Sequence, residues 1–438
     1  MVLNGMVDWN RKNLEVKNGH LWIGGCDTVS LVEKYGTPIY VINESTIKQR
    51  FNSLKEELQK HYPKIRIHYA VKANSNIVIL KLLYNEGAFL DCVSIGEIYT
   101  ALKVGYSPEQ IIYTGNNFTN HDLEYALSKG VIINLDAFSQ IMRLYKIMQR
   151  TNSTSDLLSF RVNPEFGSGH HNHCITAGPD IKFGILESSI VRAYKKAQEL
   201  GFKRFGIHMH IGSQILEIEP FKIAAEKFLE IAEKIHRELG VDFEFMDFGG
   251  GFGIPYKDEE KPFDLKRYAT TILSLFKEKI KEYDLGEPIF CVEPGRFIVA
   301  ESTIILAEVN TIKQTTHKNF IGIDAGFHNL IRPAMYGSYH EIVVANKIDQ
   351  DPKKRYDIAG PLCESGDILG RDRNLPLVEE GDIIGILDAG AYGFTMASNY
   401  NLRPYAAEIL VKEGQDYLIR ERQPIEDLLK FQNIPEFL

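Results

Sequence analysis

The chain has 438 residues, of which 44% are hydrophobic and 25% charged, with a formal net charge of −8 and a pI near 6.0. That length exceeds the size at which one hydrophobic core usually stops growing, so two domains are expected. The acidic balance argues against nucleic acid or an anionic membrane as a partner.

Taken in chain order, the opening MVLNGMVDWNRKNLEVKNG has no apolar core of signal-peptide length, and no later run approaches a membrane span. Five cysteines (Cys26, Cys92, Cys174, Cys291, Cys363) without a CxxC pair fit a reducing cytoplasm. HLWIGGCDTVSLVEKYGTPIYVIN contains strand-like pieces, and residues 1–43 are expected to join a β domain further on. From residue 44 to 300 strand-like runs alternate with helical stretches. The runs are RIHYAVKAN, AFLDCVS, IIYTGNN, VIINLD, LLSFRVNP, FGIHMHIGS, FEFMDFGGG and PIFCVEPGR. Several of the intervening helical segments end in glycine, a helix stop. Eight such units over about 250 residues predict a (β/α)8 TIM barrel. An open doubly wound sheet would place a GxGxxG loop after its first strand, and here that strand ends in Lys72. Beyond residue 300 the segments ESTIILAEVNTIKQ, FIGIDAGF, EIVVANKI, RYDIAGPLCES, DIIGILDAGAYG and AAEILVKEGQDYLIRER read as strands without helices between them. The expected organisation is therefore an α/β chain: a barrel over 44–300 and a C-terminal β domain over 301–438, completed by 1–43.

Barrel enzymes keep their chemistry at the C-terminal ends of the strands. Lys72 ends the first run, Asp91 the second with Glu97 just beyond, and Asn116 and Asn117 follow the third. Arg161 and Asn163 end the fifth, His208, His210 and Ser213 the sixth, Gly249, Gly250 and Gly251 the seventh, and Glu293 and Arg296 the eighth. Each residue has an ordinary reading by itself: a snorkelling lysine, a glycine loop, a core histidine, a simple turn. Their joint register at consecutive strand ends favours chemistry. A lysine amine condenses with an aldehyde cofactor. A glycine run lets backbone N–H groups approach an anion closely. Ser213 and the EPGR turn add donors, the His210 ring can stack on a heteroaromatic, and Glu293 can hold a protonated pyridine nitrogen. Together these describe a pyridoxal 5'-phosphate site with no metal.

The motifs YAVKAN with Lys72, HIGSQ (210–214), GGG (249–251), EPGR (293–296), RPAMY (332–336), CESGD (363–367) and GAYGFTMASNYN (390–401) span nearly the whole chain. On them the sequence resembles the fold-type III pyridoxal phosphate decarboxylases, and among these the diaminopimelate decarboxylase group. The resemblance implies that Lys72 forms the Schiff base and that His210 stacks on the ring. It implies that Gly249, Gly250, Gly251, Ser213 and the turn with Gly295 and Arg296 hold the phosphate, and that Glu293 pairs with the ring nitrogen. Asp91, Glu97 and Arg161 would support the cofactor. Arg296, Arg332 and Tyr336 would bind the substrate through its distal carboxylate, Glu364 would read its distal amino group, and Tyr392 would touch both cofactor and substrate. Cys363 would protonate the carbanion, reaching the site from a partner subunit, so a head-to-tail homodimer with shared active sites is implied. The implied reaction turns meso-2,6-diaminopimelate into L-lysine and CO2.

A carboxylate at the ring nitrogen favours the pyridinium, a strong electron sink, and so favours decarboxylation over racemisation. A racemase and a non-catalytic pyridoxal phosphate-binding protein are the readings from other classes. The stretch NPEFGSGHHNHCITAGPDIKFGI (163–185) departs from the family pattern. Its His170, His171 and His173, with Glu165 the nearby carboxylate, read as a polar loop more than a metal site. The loop leaves open a related substrate with an acidic or carrier-linked tail, such as carboxynorspermidine or carrier-bound glutamate.

Overall fold

A computed structural model describes residues 13–169, 176–178 and 181–438, and within it the chain divides into two compact units. One comprises Lys48–Pro255 and Lys261–Phe297; the other comprises Tyr256–Glu260, Ile298–Leu438 and the described part of Met1–Ile47.

The first unit is a closed parallel barrel. Its strands are β1 (Ile65–Ala70), β2 (Phe89–Cys92), β3 (Ile111–Tyr113), β4 (Ile132–Leu135), β5 (Leu157–Asn163), β6 (Arg204–His208), β7 (Phe243–Asp247) and β8 (Ile289–Val292). Consecutive strands pair in parallel; β8 pairs with β1 and β4 with β5, so no edge is left open. The expected barrel is therefore present, and the open-sheet alternative fails on the β8–β1 and β4–β5 pairings.

The helices between strands start and stop where local chemistry says they should. Asn76 caps Ile77–Glu86 by accepting from the Val78 N–H, and Gly87 ends it at φ 85°. Ser94 and Thr119 cap the next two, and Gly105 and Gly130 end them in the left-handed region that favours glycine. The long helix Glu219–Leu239 buries Phe221, Ala224, Ala225, Phe228, Leu229, Ile231, Ala232 and Ile235, one apolar stripe facing the barrel.

Inside the barrel the chemistry changes along the strands. Ile112, Phe245 and Cys291 form an apolar plug, against which Ile132, Leu157 and Ile289, each the first residue of its strand, are packed. Near the strand ends Asp91, Arg161, His208, Asp247 and Glu293 are all buried. Burying that many polar and titratable groups is tolerable only where they find partners, so the C-terminal end is a polar chamber and the other end a packed floor.

The second unit is a nine-stranded mixed sheet. Ile39–Asn43 lies between Thr303–Gln314, its antiparallel neighbour, and Ala407–Lys412, its parallel one, so the N-terminal segment completes the β domain. Side chains alternate between two cores: Tyr40, Ile305 and Ala307 enter one, and Ile39, Val41, Ile304 and Leu306 the other. A small three-stranded sheet, Leu14–Lys17, His20–Ile23 and Cys26–Asp27, precedes it.

Candidate active site

β1 runs directly into a single 3-10 turn, Val71–Ala73, that carries Lys72 at the mouth of the barrel. The Lys72 Nζ donates to Asp91 Oδ2 at the end of β2, and the Thr114 hydroxyl donates to Asp91 Oδ1. Burial alone would raise the Asp91 pKa; the Lys72 charge and both hydrogen bonds outweigh it and hold the carboxyl below its ordinary value. Asp91 is thus an anchored anion that fixes the lysine amine.

Glu97 stands in the first turn of Ile95–Val104 and accepts from the Val93 N–H at 2.7 Å. Burial pushes its carboxyl up to about 7, against the lowering effects of that hydrogen bond and of Lys72. Arg161, at the end of β5, lies with its guanidinium 4.5 Å from the Phe183 ring and donates to the Thr176 carbonyl at 3.2 Å. Burial lowers the His210 imidazole well below its ordinary value, and the charges of Arg161 and Lys72 act in the same direction. His210 is therefore a neutral ring, and its Nδ1 accepts from the Gly250 N–H at 2.9 Å.

The glycine run after β7 is sterically required. Gly249 has φ 70°, and a Cβ there would stand 2.3 Å from the Met209 carbonyl oxygen. A Cβ on Gly250 would stand 2.1 Å from the Glu293 carbonyl oxygen, and one on Gly251 3.0 Å from that of Gly212. Gly295 sits equally close, with Ala73 Cβ 3.0 Å from where its own Cβ would be. These glycines bring the backbone of the β6, β7 and β8 ends together into one cradle, where Arg296 Nη2 donates to the Ser213 hydroxyl at 3.1 Å.

Glu293 ends β8, is buried, and binds His208 Nε2 through Oε2 at 3.0 Å. Its Oε1 is buried and has no hydrogen-bond partner among the described residues. A buried acceptor left open at a polar chamber fits a ring N–H, and the glycine cradle fits a phosphate, so the residues present suit pyridoxal phosphate.

The other expected residues belong to the β unit. Arg332, in the short helix Arg332–Tyr336, is buried, with Nη1 2.6 Å from His340 Nε2 and its guanidinium 4.7 Å from the Tyr256 ring. Tyr336 closes the same helix, half-buried. Cys363 is exposed, and its backbone N–H donates to Asn401 Oδ1 at 3.1 Å; Glu364 accepts from the Tyr400 hydroxyl at 2.7 Å. Tyr392 holds φ 58°, a strained value for a bulky side chain. The structure thus gathers Lys72, Asp91, Glu97, Arg161, His210, Ser213, Gly249–Gly251, Glu293, Gly295 and Arg296 in the barrel unit and carries Arg332, Tyr336, Cys363, Glu364 and Tyr392 in the β unit.

Sequence reasoning passed over several supporting groups. His68 pairs with Asp247 at 3.1 Å, both buried, and Asp247 Oδ1 accepts the Gly249 N–H at 2.9 Å. Gln214 accepts the Ile254 N–H at 3.2 Å, tying the loop after β6 to the loop after β7. For Gln214 the signal was its place at the end of the HIGSQ motif; His68, within β1, carries none of its own. Asn163 grips both sides of Gly178, accepting its N–H at 3.0 Å and donating to its carbonyl at 2.8 Å. That grip pins one side of the histidine-rich loop, whose His170, His171 and His173 lie outside the described residues.

Residues 44–300 match the family described as pyridoxal-dependent decarboxylase, pyridoxal binding domain. A diaminopimelate decarboxylase of Methanothermobacter thermautotrophicus is 49% identical over 424 residues, covering 97% of this chain and 98% of the relative. One of Archaeoglobus fulgidus is 39% identical over 422 residues, covering 96% and 99%. The crystal structure of the M. jannaschii diaminopimelate decarboxylase in co-complex with L-lysine superposes with a TM-score of 0.90 at 34% identity, covering 98% of this chain and 99% of that one. The likeness runs over nearly the whole length in both sequence and fold, and the chain belongs to the diaminopimelate decarboxylase family of pyridoxal-dependent decarboxylases.

Proposed function

We propose that this chain is a carboxy-lyase that converts meso-2,6-diaminopimelate to L-lysine and CO2, the last step of lysine synthesis. The observation that carries the reading is Glu293: a buried carboxylate at the barrel mouth with one oxygen held by His208 and the other open. Pyridoxal phosphate, when bound, supplies the electron sink that takes up the pair released as the α-carboxylate leaves. Lys72 would hold its aldehyde carbon, Gly249–Gly251, Ser213, Gly295 and Arg296 its phosphate, and Glu293 its ring nitrogen.

The remaining residues bind, orient and move protons. Asp91 keeps the Lys72 Nζ in place and compensates its charge. His210, neutral and anchored by the Gly250 N–H, offers a flat apolar face. Arg296, Arg332 and Tyr336 supply cationic and hydroxyl donors for a distal carboxylate, Glu364 an acceptor for the distal ammonium, and Tyr392 a contact to both substrate and cofactor. The Cys363 thiol delivers the proton to the α carbon. Because Cys363 is exposed on the β unit, it is available to the site of a second chain, and a head-to-tail homodimer follows from that assignment. Residues 44–300 act as the cofactor domain, with 1–43 and 301–438 as the β domain. Free cysteines are consistent with a cytoplasmic enzyme, and among the described residues no helix is long and apolar enough to cross a membrane.

The test is release of L-lysine and CO2 from meso-diaminopimelate by the purified chain with added pyridoxal phosphate. One lysine per CO2 is expected. Exchange of the α proton without CO2 would make the enzyme a racemase. Bound cofactor with no lysine would move the search to other acidic or carrier-linked tails, starting at residues 163–185.

A further inference from the structure

Glu293 is useful to a ring nitrogen only if it stays ionised and keeps Oε1 turned outward. Burial raises its pKa, and repulsion from Asp91 and Asp247 adds to the rise, so the isolated side chain tends to take up a proton. A protonated, freely rotating Glu293 would present either a donor or an acceptor. His208 removes that freedom. It is buried at the end of β6, adjacent to β7, and its Nε2 lies 3.0 Å from Glu293 Oε2. Its Nδ1 is buried with no hydrogen-bond partner among the described residues. A proton on Nδ1 would therefore be an unsatisfied buried donor, and the tautomer that fits carries the proton on Nε2 and donates it to Glu293.

We propose that His208 is the positioning residue of this site: its Nε2–H holds Glu293 by one oxygen and leaves the other for the ring nitrogen. The inference rests on the pyridoxal phosphate reading of Glu293 given above. Asp247 stands behind the pair, with one oxygen within 4.8 Å of the His208 and Glu293 ligand atoms. Asp247 is itself occupied, by His68 through Oδ2 and by the Gly249 N–H through Oδ1. The ring-nitrogen end and the phosphate cradle are thus joined through adjacent strands, β6, β7 and β8. Among the described residues the other charged or titratable groups facing the pair are Asp91 from β2, Arg161 from β5, His210 from the loop after β6 and the Cys291 thiol from β8.

The test is a double-substitution cycle on the full chain: wild type, His208→Phe, Glu293→Gln and both together. Each is titrated with pyridoxal phosphate, the absorbance spectrum of the bound cofactor is recorded, and circular dichroism confirms folding. Loss of a buried hydrogen bond to a charged group predicts that His208→Phe weakens cofactor binding about ten- to hundred-fold and shifts the spectrum as Glu293→Gln does. In the Glu293→Gln background, His208→Phe should then change affinity less than about two-fold, because His208 acts through Glu293. His208→Gln, which keeps an N–H donor, should retain more affinity than His208→Phe, and His208→Leu takes the place of the Phe variant in the cycle if that variant does not fold. Equal losses in both backgrounds, or a wild-type spectrum in His208→Phe, would overturn the role of His208 while leaving Glu293 at the ring. A wild-type affinity and spectrum in Glu293→Gln would overturn the ring-nitrogen reading itself.

Discussion

Glu97 shows how much one side chain can say about a site. Its carboxyl is raised from 4.5 to about 7, first by burial. A carboxyl whose pKa is higher folded than unfolded adds stability that is fully present below the unfolded value and is lost as pH rises through the folded one. The cofactor-free chain should therefore lose stability between pH 4.5 and about 7 through this group, by up to about 3 kcal/mol. Glu97→Gln should flatten that part of the profile, as measured by urea unfolding across the range; an unchanged slope would refute the assignment. Residues of this kind are legible in sequence because they are chemically odd for their position. Lys72 at a strand end, three glycines after another, and Glu293 before Pro294 are all costly choices unless they serve a site. Thr114 and His68 were not legible, because a threonine just past a strand and a histidine within one are ordinary. Their roles come from Asp91 and Asp247 on other strands, and a single sequence does not state those distances.

At the scale of elements, the barrel was readable since each strand and its following helix form a local unit with its own period and stop signals. The two-residue strand Ile185–Leu186, which pairs with Val162 and Asn163, was missed because it is too short to show a period. In the β unit the strands were visible, yet their order was not: Ile39–Asn43 meets partners more than 260 residues away in sequence. Packing inside the barrel is similarly non-local. Gly206 on β6 has no left-handed backbone to explain it; the reason is Phe245 on β7, whose ring lies 2.2 Å from where a Cβ would be. Phe245 also plugs the floor with Ile112 and Cys291. Gly206→Ala should accordingly destabilise the chain by about 1–3 kcal/mol through overpacking. Adding Phe245→Leu should recover part of that loss, even though Phe245→Leu alone is destabilising. Denaturant midpoints of the four proteins check this, and strictly additive losses would show that the glycine is needed for another reason.

At the scale of the whole molecule, the expected chemistry is divided. The barrel unit holds every group assigned to the cofactor except Tyr392, while the β unit holds Cys363, Glu364, Arg332 and Tyr336, assigned to the substrate. Neither unit carries the whole set of assigned residues, and the proposed dimer makes a direct prediction about which chain supplies which group. If Cys363 serves the site of a second chain, two inactive variants should rescue each other. Lys72→Ala removes the amine, and Cys363→Ala removes the proton donor while leaving the chain's own lysine intact. Each homodimer would then have two defective sites. A mixed dimer would have one site lacking both groups and one lacking neither, since the defects fall on different chains. Random pairing of equal amounts predicts recovery of about a quarter of wild-type lysine formation in a closed two-fold dimer. Co-expression of the two variants, with light scattering to establish the dimer, provides the measurement. No recovery from demonstrably mixed dimers would mean that Cys363 acts within its own chain, since each mixed dimer would then carry one defect in each site.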